Sequence, residues 1–402
     1  MHMLQWLMAD VFKITLVFIF ILLLLRRKLN IGLVMLLAGG LLILLYQMGF
    51  TSVVSTVKSS VMNEVTVKLI VSLSLIRMFE LILREHDVLT GMMNSLKALL
   101  KNRKIVTISM PLLIGLIPSI GGAYFSAPMV AETTRDLEMS PEEKGFINYW
   151  FRHPWEYVLP LYPGILLASA VSKIELHTLI SANFSYAVLI VVTGFIFAMH
   201  TVHGSVKPVG PLSRRALWTF FPIAAVLLLV VMFHMELHYA LLAAVVFLLL
   251  FFHYKPRPII KVVKHGLSPD VILLILGIMF FKEAMDNSGA VRGLSLFFLR
   301  EGVPVFPVLF LLPFITGIMT GLTVGFVGST FPLIASFAGT SVTAISFAFA
   351  SGFLGVLLSP VHICLVLTKE YFKADFWGIY KLMIPGCIVI FAAAVIQYLI
   401  FK

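Results

Sequence analysis

Titratable side chains cluster beside prolines in one short stretch, WFRHPWEYVLPLYP at residues 150–163, which follows a hydrophilic loop and precedes an apolar run. Arg152, His153 and Glu156 all lie within it. Proline leaves a carbonyl without its intrahelical partner, so the stretch predicts an interrupted helix. A carboxylate in an apolar segment is costly unless it is paired or faces water. The chemistry indicated is proton coupling or charge matching to a bound solute.

Each of these polar residues also has a plainer interpretation. For Arg152, an anchor at the end of a helix is favoured over a clamp for substrate. His153 either caps the helix start or takes part in proton or solute binding. Glu156 is either functional or lies at the membrane interface, where it would favour the helix N-terminus. His362, deeper in a second proline-containing run, is either a site residue or a histidine bonded to a neighbour.

Two more apolar segments, about 105–131 and about 305–338, are broken by glycine, proline, serine and threonine. Their tips read IPSIGGAYFSAP and TGLTVGFVGSTFP, and such residues permit tight turns and supply uncharged hydrogen-bonding groups. Glycine notches for helix packing are the alternative interpretation. The predicted substrate-binding residues are Ser119, Gly121, Gly122, Ser126, Thr320, Thr323, Gly325 and Ser329. The residues predicted for ion coupling or charge matching are His153, Glu156 and His362.

Composition places the chain in a membrane. Hydrophobic residues make up 60% of the 402 residues and charged residues only 12%, too few to cover a soluble fold. Ten continuous apolar runs predict an all-α polytopic protein. The net charge of +11 is explained by cationic cytoplasmic loops, with both termini outside and no nucleic-acid partner. The first apolar run lacks a preceding cationic region, so we expect an uncleaved first helix.

The two cysteines, Cys364 and Cys387, both lie in apolar runs. We predict that they are small buried residues rather than metal ligands or disulfide partners. No metal site, cofactor or catalytic residue is predicted, apart from Na⁺ or H⁺ as a coupling ion.

The two halves of the chain resemble each other. Pro111 and Pro313 are 202 positions apart (313−111), as are Gly115 and Gly317. This spacing predicts two inverted-topology repeats, each with about five transmembrane helices and one re-entrant hairpin. The first repeat covers 1–202, with its hairpin at about 105–131 and its broken helix at about 150–172. A cytoplasmic linker covers 203–215. The second repeat covers 216–402, with its hairpin at about 305–338 and its broken helix at about 341–367.

The segments PSIGGAYFSAPMV, NYWFRHPWEYVLPLYPGI and LLSPVHICLVLTKEYF resemble the prokaryotic membrane family of unknown function four hundred and one. That family is grouped with the ion transporter superfamily, alongside gluconate, citrate, dicarboxylate and arsenite permeases. The resemblance implies a secondary transporter that works as a homodimer by an elevator motion. The hairpin tips lack the Ser-Asn-Thr motif of the dicarboxylate branch.

The sequence therefore predicts an ion-coupled secondary active transporter for a small, anionic solute in the cytoplasmic membrane, and not an enzyme. A carrier or channel for a lipid-like or other solute is the first alternative. An intramembrane hydrolase is a weaker one, because no Gly-x-Ser-x-Gly or His-Glu-x-x-His motif is present.

Overall fold

A computed structural model describes residues 2–118, 122–199, 201–205, 218–301 and 304–401. Within these ranges the chain is all helical, and its one pairing of extended residues is the bridge between Asn102 and Ser205. The all-α class predicted from the sequence is confirmed. The first half contains α1 (His2–Arg26), α2 (Ile31–Leu45), α3 (Phe50–Met62), α4 (Glu64–Glu85), α5 (Val88–Leu99), α6 (Arg103–Gly115), α7 (Ala123–Thr133), α8 (Pro141–Trp150), α9 (Trp155–Val158), α10 (Pro163–Ser172) and α11 (Leu176–Ala198).

The second half begins with a composite helix, in which a 3₁₀ turn (Trp218–Phe220) leads into α12 (Phe221–Leu227) and a π-helical turn (Leu228–Met232). The helices that follow are α13 (Leu237–Phe251), α14 (Pro256–Gly266), α15 (Pro269–Asn287), α16 (Ala290–Glu301), α17 (Val305–Thr320), α18 (Thr323–Ala338), α19 (Val342–Leu357), α20 (Ile363–Phe372) and α21 (Phe376–Ile400). Most of the predicted linker at 203–215 lies outside the described residues.

The proline-rich stretch interrupts a helix, but the helix begins earlier than predicted. Residues 141–150, most of which precede the predicted broken helix at about 150–172, form α8. Ser140 and Glu143 make a reciprocal capping box, and Pro141 occupies the first turn. Both features favour a helix start, so the sequence carried a signal for this helix. The break covers residues 151–162 and contains only the one-turn helix α9.

A second interruption lies between α19 and α20. Residues 358–362 are non-helical and include Pro360, as the proline pattern predicts. His362 is the residue immediately before α20. Each half of the chain therefore contains one interrupted helix next to a titratable residue.

Each of the two segments predicted as hairpins contains two helices in mutual contact. In the first, α6 packs on α7; in the second, α17 packs on α18. Gly321 and Leu322 join α17 to α18, and Gly321 has a φ of +61°. Glycine adopts this left-handed conformation without the penalty that a Cβ brings. Residues 119–121 of the first tip lie outside the described residues.

The interrupted helices cross over to the other half of the chain. Helix α10 packs against α18, while α20 packs against α7 and α8. Helices α11 and α21 also contact each other. Among the remaining helices, α2 packs on α15 and α4 packs on α13 and α14.

Three helical segments of the described chain are long and apolar enough to cross a membrane: Leu176–Ala198, Pro256–Asn287 and Phe376–Ile400. That is fewer than the ten spans predicted. Several of the other apolar runs form helices of only 10–17 residues. At 1.5 Å per residue, a helix of this length covers less than the ~30 Å of a hydrocarbon core.

The contact between α2 and α15 depends on glycine, and it gives a first prediction. A Cβ added at Gly32 would collide with the Leu273 carbonyl, whereas one added at Gly40 meets nothing within 4 Å. We expect Gly32→Ala to lower the free energy of unfolding by about 1–3 kcal/mol through overpacking. The matched variant Gly40→Ala should instead raise it by about 0.5–1 kcal/mol, because alanine is favoured over glycine inside a helix and the added methyl group meets no neighbour. Chemical unfolding of both proteins in detergent micelles measures the difference, and equal effects would contradict this packing.

Candidate functional site

Two histidines meet where the interrupted helices approach each other. His153 Nε2 lies 3.1 Å from His362 Nε2. Both side chains are buried, with exposed fractions of 1% and 6%. The ring of Tyr149 packs against His153, with 4.4 Å between ring centroids, and its hydroxyl donates to the Leu357 carbonyl. Residues 209 positions apart in the chain are therefore joined in one buried pair.

Glu156 lies beside this pair. Its Oε1 atom is 3.9 Å from His153 Nε2, and its other carboxylate oxygen accepts a hydrogen bond from the Thr323 hydroxyl. Thr323 is the first residue of α18, the second helix of the second predicted hairpin. The exposed fraction of Glu156 is 8%, and the residue lies in the first turn of α9. A carboxylate of the first interrupted helix thus bonds to α18, in the second half of the chain.

Arg152 lies in the same buried region, with an exposed fraction of 3%. The sequence favoured an anchoring role for it at the end of a helix. That interpretation is wrong, because an anchoring arginine extends its guanidinium to the surface. Arg152 instead has the Glu156 carboxylate as an electrostatic partner. It places a positive charge beside the carboxylate.

Cys364 is buried, as predicted, but it does not lie among apolar groups alone. Its sulfur and one ring nitrogen each of His153 and His362 lie within 4.8 Å of one another. The sequence analysis missed this convergence. The available signal was the spacing His362-Ile363-Cys364, which places a nitrogen and a sulfur donor at the start of α20. Nothing in the sequence indicated that His153 would face them.

Side chains of the two interrupted segments form hydrogen bonds with carbonyl oxygens at the ends of α6 and α17. In the first half, Tyr162 donates to the Gly115 carbonyl at 2.7 Å and Trp155 donates to the Leu112 carbonyl at 2.7 Å. In the second half, Ser359 donates to the Ile318 carbonyl at 2.7 Å. His362 Nδ1 lies 2.6 Å from the Gly321 carbonyl. These bonds satisfy carbonyl oxygens that a helix end leaves unpaired.

The structure brings only some of the predicted residues to the junction, which is the buried region around His153, Glu156 and His362. Thr323, His153, Glu156 and His362 meet there. Gly321, which is next to the predicted Thr320, also lies against His362. Ser119 and Gly121 lie outside the described residues.

The other predicted residues bond or pack elsewhere. The hydroxyl of Ser126 donates to Asn148, and that of Thr320 donates to the Thr316 carbonyl within its own helix. Ser329 donates to the Gly325 carbonyl and lines a small cavity beside α1, α2 and α15. Gly122 is buried just before α7, and Gly325 packs against the Thr320 side chain.

Asn148, which the sequence analysis missed, connects three helices next to the junction. Its Oδ1 accepts from the Ser126 hydroxyl at 2.6 Å. Its Nδ2 donates to the Ala123 carbonyl at 3.0 Å and to the Thr368 hydroxyl at 2.9 Å. Asn148 is fully buried in α8, whereas its partners belong to α7 and α20. The side-chain amide of Asn148 therefore links α7 to α20 through hydrogen bonds.

Removing this amide gives a second prediction. Asn148→Leu would leave the buried Ser126 and Thr368 hydroxyls without their partner, which costs about 1–3 kcal/mol of stability. Asn94, which is exposed on α5, provides the control. Its replacement by leucine should change stability by less than about 0.5 kcal/mol. Thermal unfolding of both variants in micelles tests this, and an unchanged Asn148→Leu protein would show that the network does not stabilise the fold.

A larger cavity, of about 490 Å³, lies away from the histidine pair, between α4, α10 and the residues around His234. Its charged lining is already paired, since Lys68 lies 2.8 Å from Glu64 and 2.7 Å from Glu236. The buried junction thus has the denser set of chemically active groups.

The fold and the site define an all-helical protein whose polar centre is enclosed between two interrupted helices and the second helix pair. The chain belongs to the family described as protein of unknown function (DUF401), which matches residues 8–401. Among curated proteins no match to the chain is found.

Proposed function

We propose that this protein is a secondary active transporter, embedded in the cytoplasmic membrane, that moves a small anionic solute. The observation that carries the proposal is the hydrogen bond between Glu156 and Thr323. It joins an interrupted helix of one half to a hairpin helix of the other, next to a buried histidine pair. Interrupted helices that meet at mid-depth are the usual construction of a transporter binding site.

The charges at the junction support an anionic solute. Arg152 contributes a buried positive charge, and His153 and His362 contribute ring nitrogens, against one carboxylate from Glu156. A buried charge requires partners or water. An anionic solute would bind beside Arg152 and the ring nitrogens of His153 and His362, and either Na⁺ or H⁺ can serve as the coupling ion.

An inverted repeat is supported by matched contacts in the two halves. Helix α10 packs on α18 of the other half, and α20 packs on α7 of the other half. Gly115 approaches the Arg152 carbonyl of its own interrupted segment, and Gly317 approaches the Gly352 carbonyl of α19. Pro111 and Pro313 both lie inside the first helix of their pair. Two copies of one unit facing in opposite directions would allow one site to open alternately to either side.

The remaining elements of the proposal follow from the same arrangement and the resemblance to transporter families. The two helix pairs would be re-entrant hairpins, so both termini would lie outside. The hairpins and interrupted helices would move together, past a fixed layer formed around α2, α4, α13 and α15. Homodimers that move in this way are implied by the resemblance to the ion transporter superfamily.

Thermal unfolding of the purified protein with a panel of organic anions, with and without sodium and across pH, tests the proposal. A ligand that binds only the native state stabilises it by about 2.7 kcal/mol at a hundred times its Kd. We expect a saturable rise in Tm for one class of anion. Thr323→Val should abolish that rise, because the variant lacks the hydroxyl that bonds Glu156.

The exposed Thr90 supplies the control, and Thr90→Val should keep the full rise in Tm. The absence of a saturable rise with every anion would contradict an anion site. A rise that persists unchanged in Thr323→Val would place the binding site elsewhere in the protein.

A further inference from the structure

The facing nitrogens of His153 and His362 are both hydrogen-bond acceptors when the rings are neutral. His153 Nδ1 lies 2.6 Å from the Tyr149 carbonyl, and His362 Nδ1 lies 2.6 Å from the Gly321 carbonyl. A carbonyl oxygen can only accept, so both Nδ1 atoms carry the hydrogen. Each neutral ring then presents the lone pair of Nε2. Two lone pairs at 3.1 Å repel each other unless a proton or a metal ion is held between them.

This arrangement matches the way histidine binds metals in proteins. A metal-bound histidine donates its second ring N–H to a carbonyl or carboxylate, which fixes the tautomer and the orientation of the ring. Both histidines have such a partner, and both carbonyls belong to fixed backbone. The Tyr149 carbonyl belongs to α8, and the Gly321 carbonyl belongs to the tip between α17 and α18.

The distances fit a tetrahedral ion. For Zn–N bonds of about 2.0–2.1 Å, two nitrogens on a tetrahedral zinc lie about 3.3 Å apart. The observed separation of the two Nε2 atoms is 3.1 Å. The sulfur of Cys364 lies within 4.8 Å of the ring nitrogens. Glu156 Oε1 lies 3.9 Å from His153 Nε2, about half an ångström beyond tetrahedral spacing.

We propose that His153, His362 and Cys364 bind a divalent ion of the zinc type, with Glu156 as the fourth ligand. Two imidazoles, a thiolate and a carboxylate form a mixed donor set that suits zinc far better than magnesium or calcium, which prefer oxygen ligands alone. The proton of the Cys364 thiol is released to solvent when the ion binds. The ligands come from the two interrupted segments and from α20, so the bound ion would link the first half of the chain to the second.

The test uses the full-length protein in detergent, treated with a chelator and then titrated with Co²⁺ or Zn²⁺. We expect one ion per chain. Tetrahedral Co²⁺ should show visible d–d absorption together with a thiolate-to-metal charge-transfer band in the near ultraviolet. Cys364→Ser should abolish the charge-transfer band. Cys387→Ser, at the other buried cysteine, should leave it intact.

Loss of one histidine should weaken Zn²⁺ binding by at least about 100-fold, since loss of an outer partner alone costs 10–100-fold. His153→Ala is compared with His203→Ala, whose ring is exposed. Failure to bind one equivalent of either ion would overturn the proposal. Binding that is unchanged in both His153→Ala and Cys364→Ser would also overturn it. Bound Co²⁺ that shows no thiolate-to-metal charge-transfer band would contradict Cys364 as a ligand.

A measurement on the wild-type protein avoids variants that fail to fold. Bound Zn²⁺ should protect Cys364 from alkylation by N-ethylmaleimide after mild unfolding, and should leave Cys387 reactive. Peptide mass spectrometry measures both sites in one sample. Equal alkylation of the two cysteines with and without Zn²⁺ would contradict the site. Because this experiment measures no transport, its outcome is independent of whether the proposed transport function is correct.

Discussion

Replacing Arg152 by methionine is expected to lower the free energy of unfolding by about 3–5 kcal/mol. Arg152 is almost fully buried, and the Glu156 carboxylate is its electrostatic partner. Methionine has a similar length but no charge. In the variant, the Glu156 carboxylate would therefore stay buried without the positive charge that Arg152 supplies. Removing one partner of a buried charge pair is costly because the other stays desolvated. Reversible unfolding in micelles, followed by circular dichroism, measures the loss.

A double variant separates the charge from the packing. Glu156→Gln removes the carboxylate, so Arg152→Met combined with Glu156→Gln should cost clearly less than the sum of the two single changes. Arg135→Met, at an exposed position, should change stability by less than about 0.5 kcal/mol. Strict additivity in the double variant would contradict an electrostatic coupling between Arg152 and Glu156.

Gly321→Ala is expected to damage both the fold and the binding site. A methyl group at this position would lie 2.9 Å from the backbone nitrogen of His362 and 3.0 Å from the Ser359 hydroxyl. The left-handed backbone, with a φ of +61°, adds a further penalty of about 1–2 kcal/mol for any residue with a Cβ. With about 1–3 kcal/mol from overpacking, the total loss of stability is roughly 2–5 kcal/mol. The displacement of His362 should also abolish solute-dependent stabilisation.

Gly289→Ala provides the matched control. Gly289 also has a positive φ, of +79°, but an added Cβ there meets nothing within 4 Å. That variant should lose only the backbone penalty and keep its response to solute. Thermal unfolding with and without the stabilising anion distinguishes the two glycines. Equal behaviour of both variants would show that the tip between α17 and α18 does not position His362.

Periodicity and composition predicted the elements of the fold that depend on local physics. Apolar runs predicted helices, and Pro360 predicted the break between α19 and α20. Helix α8 was missed because its sequence, PEEKGFINYW, begins with charged residues, although the capping box of Ser140 and Glu143 marked its start. Fewer helices of the described chain reach spanning length than the ten spans predicted, since an apolar run of 15 residues, such as α2, and one of 25 residues, such as α21, look alike in composition.

The candidate site was predicted in part. His153, Glu156, His362 and Thr323 were chosen because titratable groups and hydroxyls are rare beside prolines and glycines in an apolar chain. Serine and threonine hydroxyls can also bond to the carbonyl three or four residues before them. Thr320 and Ser329 do so, and no sequence pattern separates that state from a free hydroxyl.

Asn148 was missed, and Arg152 and Cys364 were assigned other roles, for a different reason. Their roles depend on contacts between residues that are far apart in the chain, such as the bond from Asn148 to Thr368. A single sequence does not encode such distances in any local pattern. The structure alone brings them to one centre.

Solute counterflow in reconstituted vesicles tests the central claim most directly. Vesicles containing the purified protein are loaded with the anion that gives the largest rise in Tm, and labelled anion is added outside. The account predicts saturable accumulation of label that depends on internal anion and is lost in Thr323→Val. Flux that rises linearly with concentration and needs no internal anion would contradict a carrier and would indicate a pore.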